Sequence, residues 1–423
     1  MAAAILAAAT DSAARAEAKT VSLRAATDLQ AAIDAAAEGD TLRLERGEFR
    51  GPIVIAKPLT LEGAPGAAIV GSRTGSVITL KAAGASIRGL EIRGSGTNIG
   101  TFDSGIYVSQ SAKGARIENN TILGNLYGVY LQGADDTVVR ANRIVGMREG
   151  RTVAAGNGVH LWNAPGARII GNDISHGRDG IYTNISRNNV FSENRFSHLR
   201  FAIHYMYTND SVVSGNISTG NAVGYAIMYS NRLVITGNVS DGDRDHGLLL
   251  NSANGSTITG NTVRGRLQPV SRWTNAGRSD DLHGASAEDA VSPLPAGPER
   301  LGPEKCVFIY SANNNRLSGN WFENCAIGIH FTAGSERNRV TGNAFVRNRN
   351  QVKYVGTRYL DWSEEGRGNY WSDNPAFDLN GDGIADSPYR PNGIVDHVLW
   401  IAPQAKVLIN SPALQVIRWA QRQ

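Results

Sequence analysis

The chain is poor in cysteine and methionine and has no long hydrophobic run. Only two cysteines and four methionines occur among its 423 residues. No apolar stretch reaches the roughly 18 to 20 residues that a membrane-spanning helix needs. The basic residues form no blocks, at a net charge of +4. These absences argue against a membrane-embedded protein and against a nucleic-acid-binding protein.

The scarcity of cysteine suits an oxidising compartment that is kept nearly free of thiols. Cys306 and Cys325 fall on neighbouring coils of the repeat described below, so they either form a disulfide or remain two buried, inert thiols. Residues 1–18 contain a short apolar stretch and end in an Ala-Glu-Ala cleavage pattern. This start predicts a signal peptide and hence export; an alanine-rich helix or tail is the alternative.

What the chain does contain is a repeat of about 22 residues. One series in it consists of asparagines: Asn142, Asn172, Asn194, Asn216, Asn238, Asn261, Asn320, Asn343 and Asn369. A second series is aliphatic throughout: Ile106, Val129, Val159, Ile181, Ile203, Ile227, Leu248, Val307, Ile329 and Val352. Short alternating strands with Gly and Asn at fixed offsets bury their apolar face only by stacking. The pattern predicts an all-β fold, a right-handed parallel β-helix with one coil per repeat.

The two ends of the repeat differ from its middle. Residues 26–38 have apolar residues at helical spacing, with Thr27 or Asp28 as N-cap. A short helix here would cover the open end of the solenoid. We predict three segments after the signal peptide: an N-terminal cap with the first coils (19–104), the regular β-helix (105–355) and a C-terminal capping module (356–423).

Two insertions interrupt the repeat, near residues 147–156 and 266–305. Both leave after the asparagine strand and return at the strand of the aliphatic series, so both protrude from the same corner. Long loops on one face of a solenoid usually mark its working face. We therefore expect the functional site in the shallow trough between them, on the solvent side of the second strand.

Counting by parity along that strand places His204, Met206 and Met228 together on the trough floor, with His204 and Met228 in one row. Thioether and imidazole groups suit Cu(I), and methionine tolerates an oxidising compartment where cysteine would not. These residues predict a site for transient copper binding. The alternative is an aromatic and methionine ladder that stacks along the solenoid, with the histidines as ordinary polar members.

A carboxylate-rich segment offers a different chemistry. The residues Asp241, Asp243, Asp245 and His246 in SDGDRDHG would suit acid/base work on a polysaccharide. Aspartate and glycine are also common residues of tight turns. We favour the turn.

The C-terminal module contains a calcium-like loop, in which four oxygen-bearing residues alternate around a glycine turn: Asp378, Asn380, Asp382 and Asp386. Tyr389 stands where the final acid of such a loop is expected. We predict a structural calcium site that is weak or completed by another segment; a metal-free turn is the alternative. Ser411 and Pro412 begin a predicted helix, which either docks on a membrane permease or caps the solenoid.

The stretches NYWSD and DLNGDGIADSPY, with ENCAIGIHFTAGSERN and QVKYVGTRYLDWS, resemble the NosD family of periplasmic maturation proteins for nitrous oxide reductase. The likeness covers nearly the whole chain. It implies a non-catalytic subunit, peripheral to the membrane, that works with an ABC-type ATPase and permease. Copper from a copper chaperone, or sulfur, would be its cargo for nitrous oxide reductase. The resemblance supplies no ligand set, so the trough residues rest on the pattern alone.

Two other functions use the same fold. One is a polysaccharide lyase or uronate epimerase, and the other is a surface adhesin without chemistry. An enzyme should show a charged cleft with paired acid and base groups on stacked coils. The predicted trough floor has Tyr, His and Met instead.

Overall fold

Three parallel β-sheets wind around one core in the structure, a computed structural model. The structure describes residues 18–148, 155–266 and 302–389, apart from 333, 355–359, 361 and 375, together with 408, 411–413, 416 and 420. Most of the predicted signal peptide, of both insertions and of the predicted terminal helix lies outside these residues. Across the described part of the chain, no helix is long and apolar enough to cross a membrane.

Each coil contributes one strand to sheet 1, then one to sheet 2 and one to sheet 3. Sheet 1 consists of Thr20–Leu23, Thr41–Leu44, Thr60–Gly63, Ser86–Arg88, Arg116–Glu118, Val138–Arg140, Arg168–Ile170, Val190–Ser192, Val212–Ser214, Val234–Thr236, Thr257–Thr259, Arg316–Ser318 and Arg339–Thr341. Sheet 2 consists of Gly47–Arg50, Ala67–Val70, Glu91–Arg93, Thr121–Asn125, Arg143–Gly146, Asp173–Ser175, Arg195–Ser197, Ile217–Thr219, Val239–Asp241, Thr262–Arg264, Trp321–Glu323, Ala344–Val346 and Tyr370–Trp371. Sheet 3 consists of Ile53–Ile55, Ile78–Leu80, Ser104–Val108, Tyr127–Gln132, Val159–Trp162, Asp179–Asn184, Phe201–Met206, Val223–Met228, His246–Asn251, Lys305–Tyr310, Ile327–Phe331 and Asn350–Tyr354.

The predicted parallel β-helix is confirmed. Strands of successive coils pair in parallel, and their inward side chains form one continuous apolar core from Leu23 to Trp371. Both insertions connect a strand of sheet 2 to the next strand of sheet 3: the strands that flank them are Arg143–Gly146 with Val159–Trp162, and Thr262–Arg264 with Lys305–Tyr310. Both therefore arise at the same corner.

The asparagine series forms a hydrogen-bonded ladder at the corner between sheets 1 and 2. The Asn194 side-chain amide donates to Asn216 Oδ1 at 3.0 Å, and Asn216 donates in turn to Asn238 Oδ1 at 2.9 Å. Asn216 Nδ2 also donates to the Phe191 carbonyl at 2.9 Å. Each amide satisfies buried backbone groups of its neighbours, which explains why the residue recurs once per coil. Asn120 extends the ladder by one coil beyond the predicted series.

A second polar ladder lies at the corner between sheets 2 and 3, and Asp243 occupies a position that Asn221 holds one coil earlier. Asn221 Oδ1 accepts the Leu199 N–H, and Asp243 Oδ1 accepts the Asn221 N–H. Asp243 is fully buried, and burial raises its pKa to about 6 despite a hydrogen bond from Ser240. Asp243 therefore has a structural role at this corner, as the turn interpretation predicted. It takes the position that asparagine holds one coil earlier.

Replacing Asp243 with asparagine should stabilise the fold above pH 6. The folded state favours the protonated carboxyl of Asp243. The stability that this group contributes is therefore fully present below its unfolded-state pKa, and it is lost as pH rises through the folded-state pKa of about 6. An asparagine amide keeps the shape without the charge. A shift of roughly two pKa units predicts a gain of about 2 to 3 kcal/mol at pH 8 and almost none at pH 4.

Urea unfolding of wild type and Asp243→Asn at both pH values would measure this gain, with Asp173→Asn, at an exposed position of sheet 2, as the control. Asn221 shows how the amide would fit, because its Nδ2 donates to Ser218 Oγ at 2.8 Å, and Ser218 is the register partner of Ser240. An equal gain at pH 4 and pH 8 would contradict the assignment.

The predicted N-terminal cap is confirmed as a helix, α1 (Leu29–Ala35), with Asp28 as its N-cap. Its Leu29 side chain is buried against the core. Gln30 pairs through its side-chain amide with both backbone groups of Val54, on the outermost strand of sheet 3. The helix therefore covers the core and occupies hydrogen-bonding groups of a free strand edge.

At the far end of the stack, aromatic side chains cover the core. Trp371, on the last strand of sheet 2, stacks on Phe345 at 4.5 Å between ring centroids, and Tyr389 stacks on Trp371 at 4.7 Å. Trp362 packs edge-on against Trp371. Within the described part of the C-terminal module, these rings shield the last coil from water.

Cys306 and Cys325 form a disulfide, with Cα atoms 5.6 Å apart. This decides between the two alternatives left open by the sequence. Cys306 lies on the strand Lys305–Tyr310 that follows the second insertion, and Cys325 lies in the turn that leads to the next strand of sheet 3. The bond joins consecutive coils where the chain returns to the solenoid.

One predicted register is wrong by two residues. The strand Val223–Met228 places Tyr225, not Ile227, beside Ile203 and Leu248. Ala226 therefore stands beside His204, and Met228 stands beside Met206. A slip of two residues preserves the alternation of faces, so Met228 stays on the outer face but moves to the next row.

Candidate functional site

A row of aromatic and histidine rings runs along the outer face of sheet 3. Register pairing puts five rings on consecutive coils: Tyr107, Tyr130, His160, Tyr182 and His204. Neighbouring ring centroids are 4.5 to 5.7 Å apart. Tyr107, Tyr130 and His160 stack face to face, as the ladder interpretation predicted. Tyr182 is instead tilted against His160 and lies edge-on to His204. We call these five residues the ring ladder. It ends at His204 because the next residue in the row is Ala226.

A buried ion pair holds His204 in place. His204 Nδ1 lies 3.0 Å from Asp179 Oδ2, and the Arg200 guanidinium bonds the same carboxylate at 2.6 and 2.8 Å. All three side chains are more than nine-tenths buried. Burial alone would raise the pKa of Asp179, but Arg200 and His204 hold it well below its usual range. The carboxylate is therefore ionised.

The other nitrogen of His204 is left free. Asp179 is ionised and accepts the proton on Nδ1, so Nε2 is the ring nitrogen that is left for another partner. Nε2 is buried and has no hydrogen-bond partner among the described residues. An unpaired buried polar atom of this kind costs stability and makes Nε2 of His204 a candidate ligand atom.

Met206 and Met228 form a pair at the ends of two neighbouring strands of sheet 3, Phe201–Met206 and Val223–Met228. They are register partners on adjacent coils, both on the outer face and both half-buried. Met206 follows His204 by two residues and so projects from the same face. The structure thus places the three residues that the sequence proposed as copper ligands on one face of adjacent coils, with His204 one row behind the thioether pair.

The surroundings of the site carry little positive charge toward a bound cation. Burial lowers the pKa of His160 to about 3, so this ring of the ladder is neutral at physiological pH. The Arg200 guanidinium is engaged by Asp179 through two nitrogen atoms. Thioether sulfur and imidazole nitrogen are donors that suit a soft, singly charged metal ion.

The carboxylates of the SDGDRDHG segment are not arranged as an acid/base pair. Asp243 is buried in the corner ladder, whereas Asp241 lies on the exposed side of sheet 2. Over the residues that the structure describes, no group of three or more His, Cys, Asp or Glu residues is placed to hold a metal ion.

The calcium-like loop folds around its own backbone. Asp378 accepts the N–H groups of Gly381 and Gly383 at 2.7 and 2.8 Å, and Asp386 accepts the Leu379 N–H at 2.7 Å. The carboxylates are exposed. Tyr389, at the position of the missing acid, instead stacks on Trp371.

The family model described as "Periplasmic copper-binding protein (NosD)" matches residues 146–376, more than half of the chain. The chain belongs to the NosD family. Two curated relatives, each named "Probable ABC transporter binding protein NosD", agree with this. The one from Pseudomonas aeruginosa is 40% identical over 387 residues, which are 91% of this chain and 85% of the relative. The one from Stutzerimonas stutzeri is 39% identical over 90% of this chain and 82% of the relative.

Solved structures share the fold of this NosD chain. The A-module of the mannuronan C-5 epimerase AlgE6 from Azotobacter vinelandii has a TM-score of 0.53 at 15% identity, covering 81% of this chain and 93% of that one. The DFA-IIIase from Arthrobacter chlorophenolicus has a TM-score of 0.52 at 13% identity, covering 80% and 89%. At these identities the likeness shows a common solenoid and nothing about activity.

Sequence reasoning missed Asp179 and Arg200 as members of the site in this NosD chain. Asp179 begins the strand Asp179–Asn184 and Arg200 directly precedes the next strand of sheet 3, Phe201–Met206. A charged residue at the beginning of a strand is usually expected to be exposed to solvent. The signal was available in the spacing, because Asp179 precedes Arg200 by 21 residues, close to one coil. In this solenoid, an acidic and a basic residue that lie one coil apart, where strands of the same sheet begin, form a buried ion pair.

Proposed function

We propose that His204, Met206 and Met228 bind Cu(I) transiently, and that the chain holds copper as cargo for assembly of the copper centre of nitrous oxide reductase in the periplasm. The observation that carries this proposal is the His204 imidazole. It is buried, its Nδ1 is oriented by Asp179, and its Nε2 has no partner within the described residues. A carboxylate behind a histidine is the common support of a metal ligand.

The donor set distinguishes copper from other metal ions. Two thioethers and one imidazole favour Cu(I), whereas Zn²⁺ sites use thiolate, imidazole and carboxylate groups and Mg²⁺ or Ca²⁺ sites use oxygen. The family description also names copper. If sulfur were the cargo instead, the thioether pair would have no role.

The partners follow from the family. The relatives are named as ABC transporter binding proteins, and we propose that this chain likewise works with an ABC-type ATPase and permease. It would receive copper from a chaperone and pass it to nitrous oxide reductase. We propose a non-catalytic role, because the outer face of sheet 3 presents stacked rings and thioethers rather than the paired acid and base of a lyase or epimerase.

Deletion of the gene in a denitrifying bacterium tests the proposal. The nitrous oxide reductase purified from the deletion strain should lack its catalytic copper centre. Complementation with wild type should restore the copper content, and complementation with a His204→Phe, Met206→Leu, Met228→Leu variant should not. Fully copper-loaded, active reductase from the deletion strain would refute the role, and production of unsaturated or epimerised polyuronates by the purified chain would favour an enzyme.

We also propose that the loop of Asp378, Asn380, Asp382 and Asp386 binds Ca²⁺. Backbone N–H groups already pre-order the loop around Asp378, but Tyr389 supplies no carboxylate. A weak site is therefore expected, with a Kd of roughly 0.1 to 1 mM. Calorimetric titration with CaCl₂ should show this binding, and Asp382→Asn, which keeps the shape but removes a charge, should weaken it about tenfold. Absence of binding heat would leave a metal-free turn.

A further inference from the structure

A second buried polar atom without a partner lies beside the proposed copper site. Asn184 ends the strand Asp179–Asn184 and is the register partner of Met206 on the next coil. Its Oδ1 is buried and has no hydrogen-bond partner among the residues that the structure describes. A buried carbonyl oxygen in this state has lost its contact with water and gained no donor in return, which lowers the stability of the fold. A ligand that contacts Oδ1 would recover this loss.

Met206 is the common neighbour of the two residues whose polar atoms are unpaired. His204 precedes it by two residues on the same strand, so both side chains project from one face. Asn184 stands one coil before Met206, and Met228 stands one coil after it in the same row. Register partners on neighbouring parallel strands are about 4.8 Å apart. One face of three consecutive coils therefore carries an imidazole nitrogen, an amide oxygen and two thioethers.

The other end of this row shows that an asparagine here can be satisfied by the chain itself. Asn251 is the register partner of Met228 on the following coil, so Asn184 and Asn251 flank the thioether pair from opposite sides. Asn251 Oδ1 accepts a hydrogen bond from the Ser252 hydroxyl at 3.3 Å. The amide oxygen is thus unpaired only on the side of Met206, whose strand also carries His204.

The four donor groups belong to two chemical classes. Thioether sulfur is a soft donor that favours Cu(I), whereas an amide oxygen is a hard donor that suits Cu(II) in combination with nitrogen. Imidazole nitrogen binds copper in both oxidation states. His204 is therefore common to two donor sets, one with the thioethers of Met206 and Met228 and one with the amide oxygen of Asn184.

We infer that this face also binds Cu(II), through His204 Nε2 and Asn184 Oδ1, with water completing the coordination. This inference rests on the proposed copper site, because His204 is the ligand that the two oxidation states share. The ion occupies both unpaired atoms at once, which neither thioether does. The disulfide between Cys306 and Cys325 indicates an oxidising compartment, and copper in such a compartment includes Cu(II).

Two substitutions of Asn184 should change the Cu(II) affinity in opposite directions. Asn184→Leu removes the oxygen donor and should weaken Cu(II) binding about tenfold, whereas Asn184→Asp adds charge to that oxygen and should strengthen it about tenfold. Misfolding cannot produce such a gain. Both variants should keep the Cu(I) affinity of wild type. Titration of the full chain with CuSO₄, followed by electron paramagnetic resonance, measures Cu(II), and anaerobic competition with bicinchoninate measures Cu(I). Asn251→Leu is the matched control and should change neither affinity.

Equal Cu(II) affinities of wild type and both Asn184 variants would overturn the inference, and so would the absence of Cu(II) binding by wild type. The double variant Met206→Leu, Met228→Leu separates this inference from the proposed function, because it should lose Cu(I) and retain Cu(II). If wild type binds Cu(I) no better than the double variant, the proposed Cu(I) site fails. The Asn184 variants then still decide whether His204 and Asn184 bind Cu(II).

Discussion

Replacing Met206 and Met228 together by leucine is expected to weaken Cu(I) binding at least 100-fold. Leucine keeps much of the volume and hydrophobicity of methionine, so the packing at the end of both strands is retained while two soft donors are lost. A hundredfold loss corresponds to about 2.7 kcal/mol of binding free energy. Anaerobic competition with bicinchoninate measures the affinity directly.

Met147→Leu is the matched control. Met147 also packs on the outer face, against Tyr127 and Tyr130, but several coils before the proposed site. Its replacement should leave the Cu(I) affinity unchanged. His204→Phe should weaken binding while it keeps a ring at the end of the ring ladder. An affinity of the double methionine variant equal to that of wild type would show that copper binds elsewhere.

Asn216→Ala is expected to lower the free energy of unfolding by about 4 kcal/mol. The Asn216 side chain takes part in four hydrogen bonds: it donates to Phe191 and Asn238 and accepts the backbone and side-chain N–H of Asn194. A buried hydrogen bond contributes about 1 kcal/mol, and more where its loss leaves a partner unsatisfied. Urea unfolding gives the total, and hydrogen exchange at the Asn194 amide reports the loss locally.

Asn163→Gly is the control for Asn216→Ala. It tests whether the loss of stability comes from the asparagine ladder or from the replacement of any asparagine. Asn163 is exposed and has a positive φ, which glycine tolerates without strain, so its side chain can be removed with little effect. A change under about 0.5 kcal/mol is expected. Comparable losses in both variants would mean that the ladder contributes no special stability.

Much of the fold could be predicted because its strongest signals are local and repeated. A coil must bury the same face against the coil before it, so aliphatic residues recur at the period of the coil. Asparagine recurs for a second reason: at the corner between sheets 1 and 2 its amide satisfies backbone groups of the preceding coil and donates to the asparagine of the next coil. Both requirements appear in the sequence as spacing, and no tertiary information is needed to see them.

The register slip at Tyr225 shows where spacing is insufficient. Two alignments of this strand fit the pattern of a small residue followed by an apolar one: Gly224-Tyr225-Ala226 and Ala226-Ile227-Met228. The structure chooses the first, because a side chain at Gly224 would meet the Gly247 carbonyl at 2.6 Å and Asp243 at 2.7 Å. Close approach between coils is a property of the assembled solenoid, so the pattern could not distinguish the two alignments.

The sequence by itself determined the solenoid, and it also supplied the face and the residue types of the proposed Cu(I) site, since alternation and period depend only on neighbours along the chain. The tertiary structure alone decided which side chains meet across coils. It paired Met206 with Met228, set Asp179 and Arg200 behind His204, and left Nε2 without a partner among the described residues. These contacts join residues about one coil apart, and whether each pair is buried depends on stacking that no local pattern encodes.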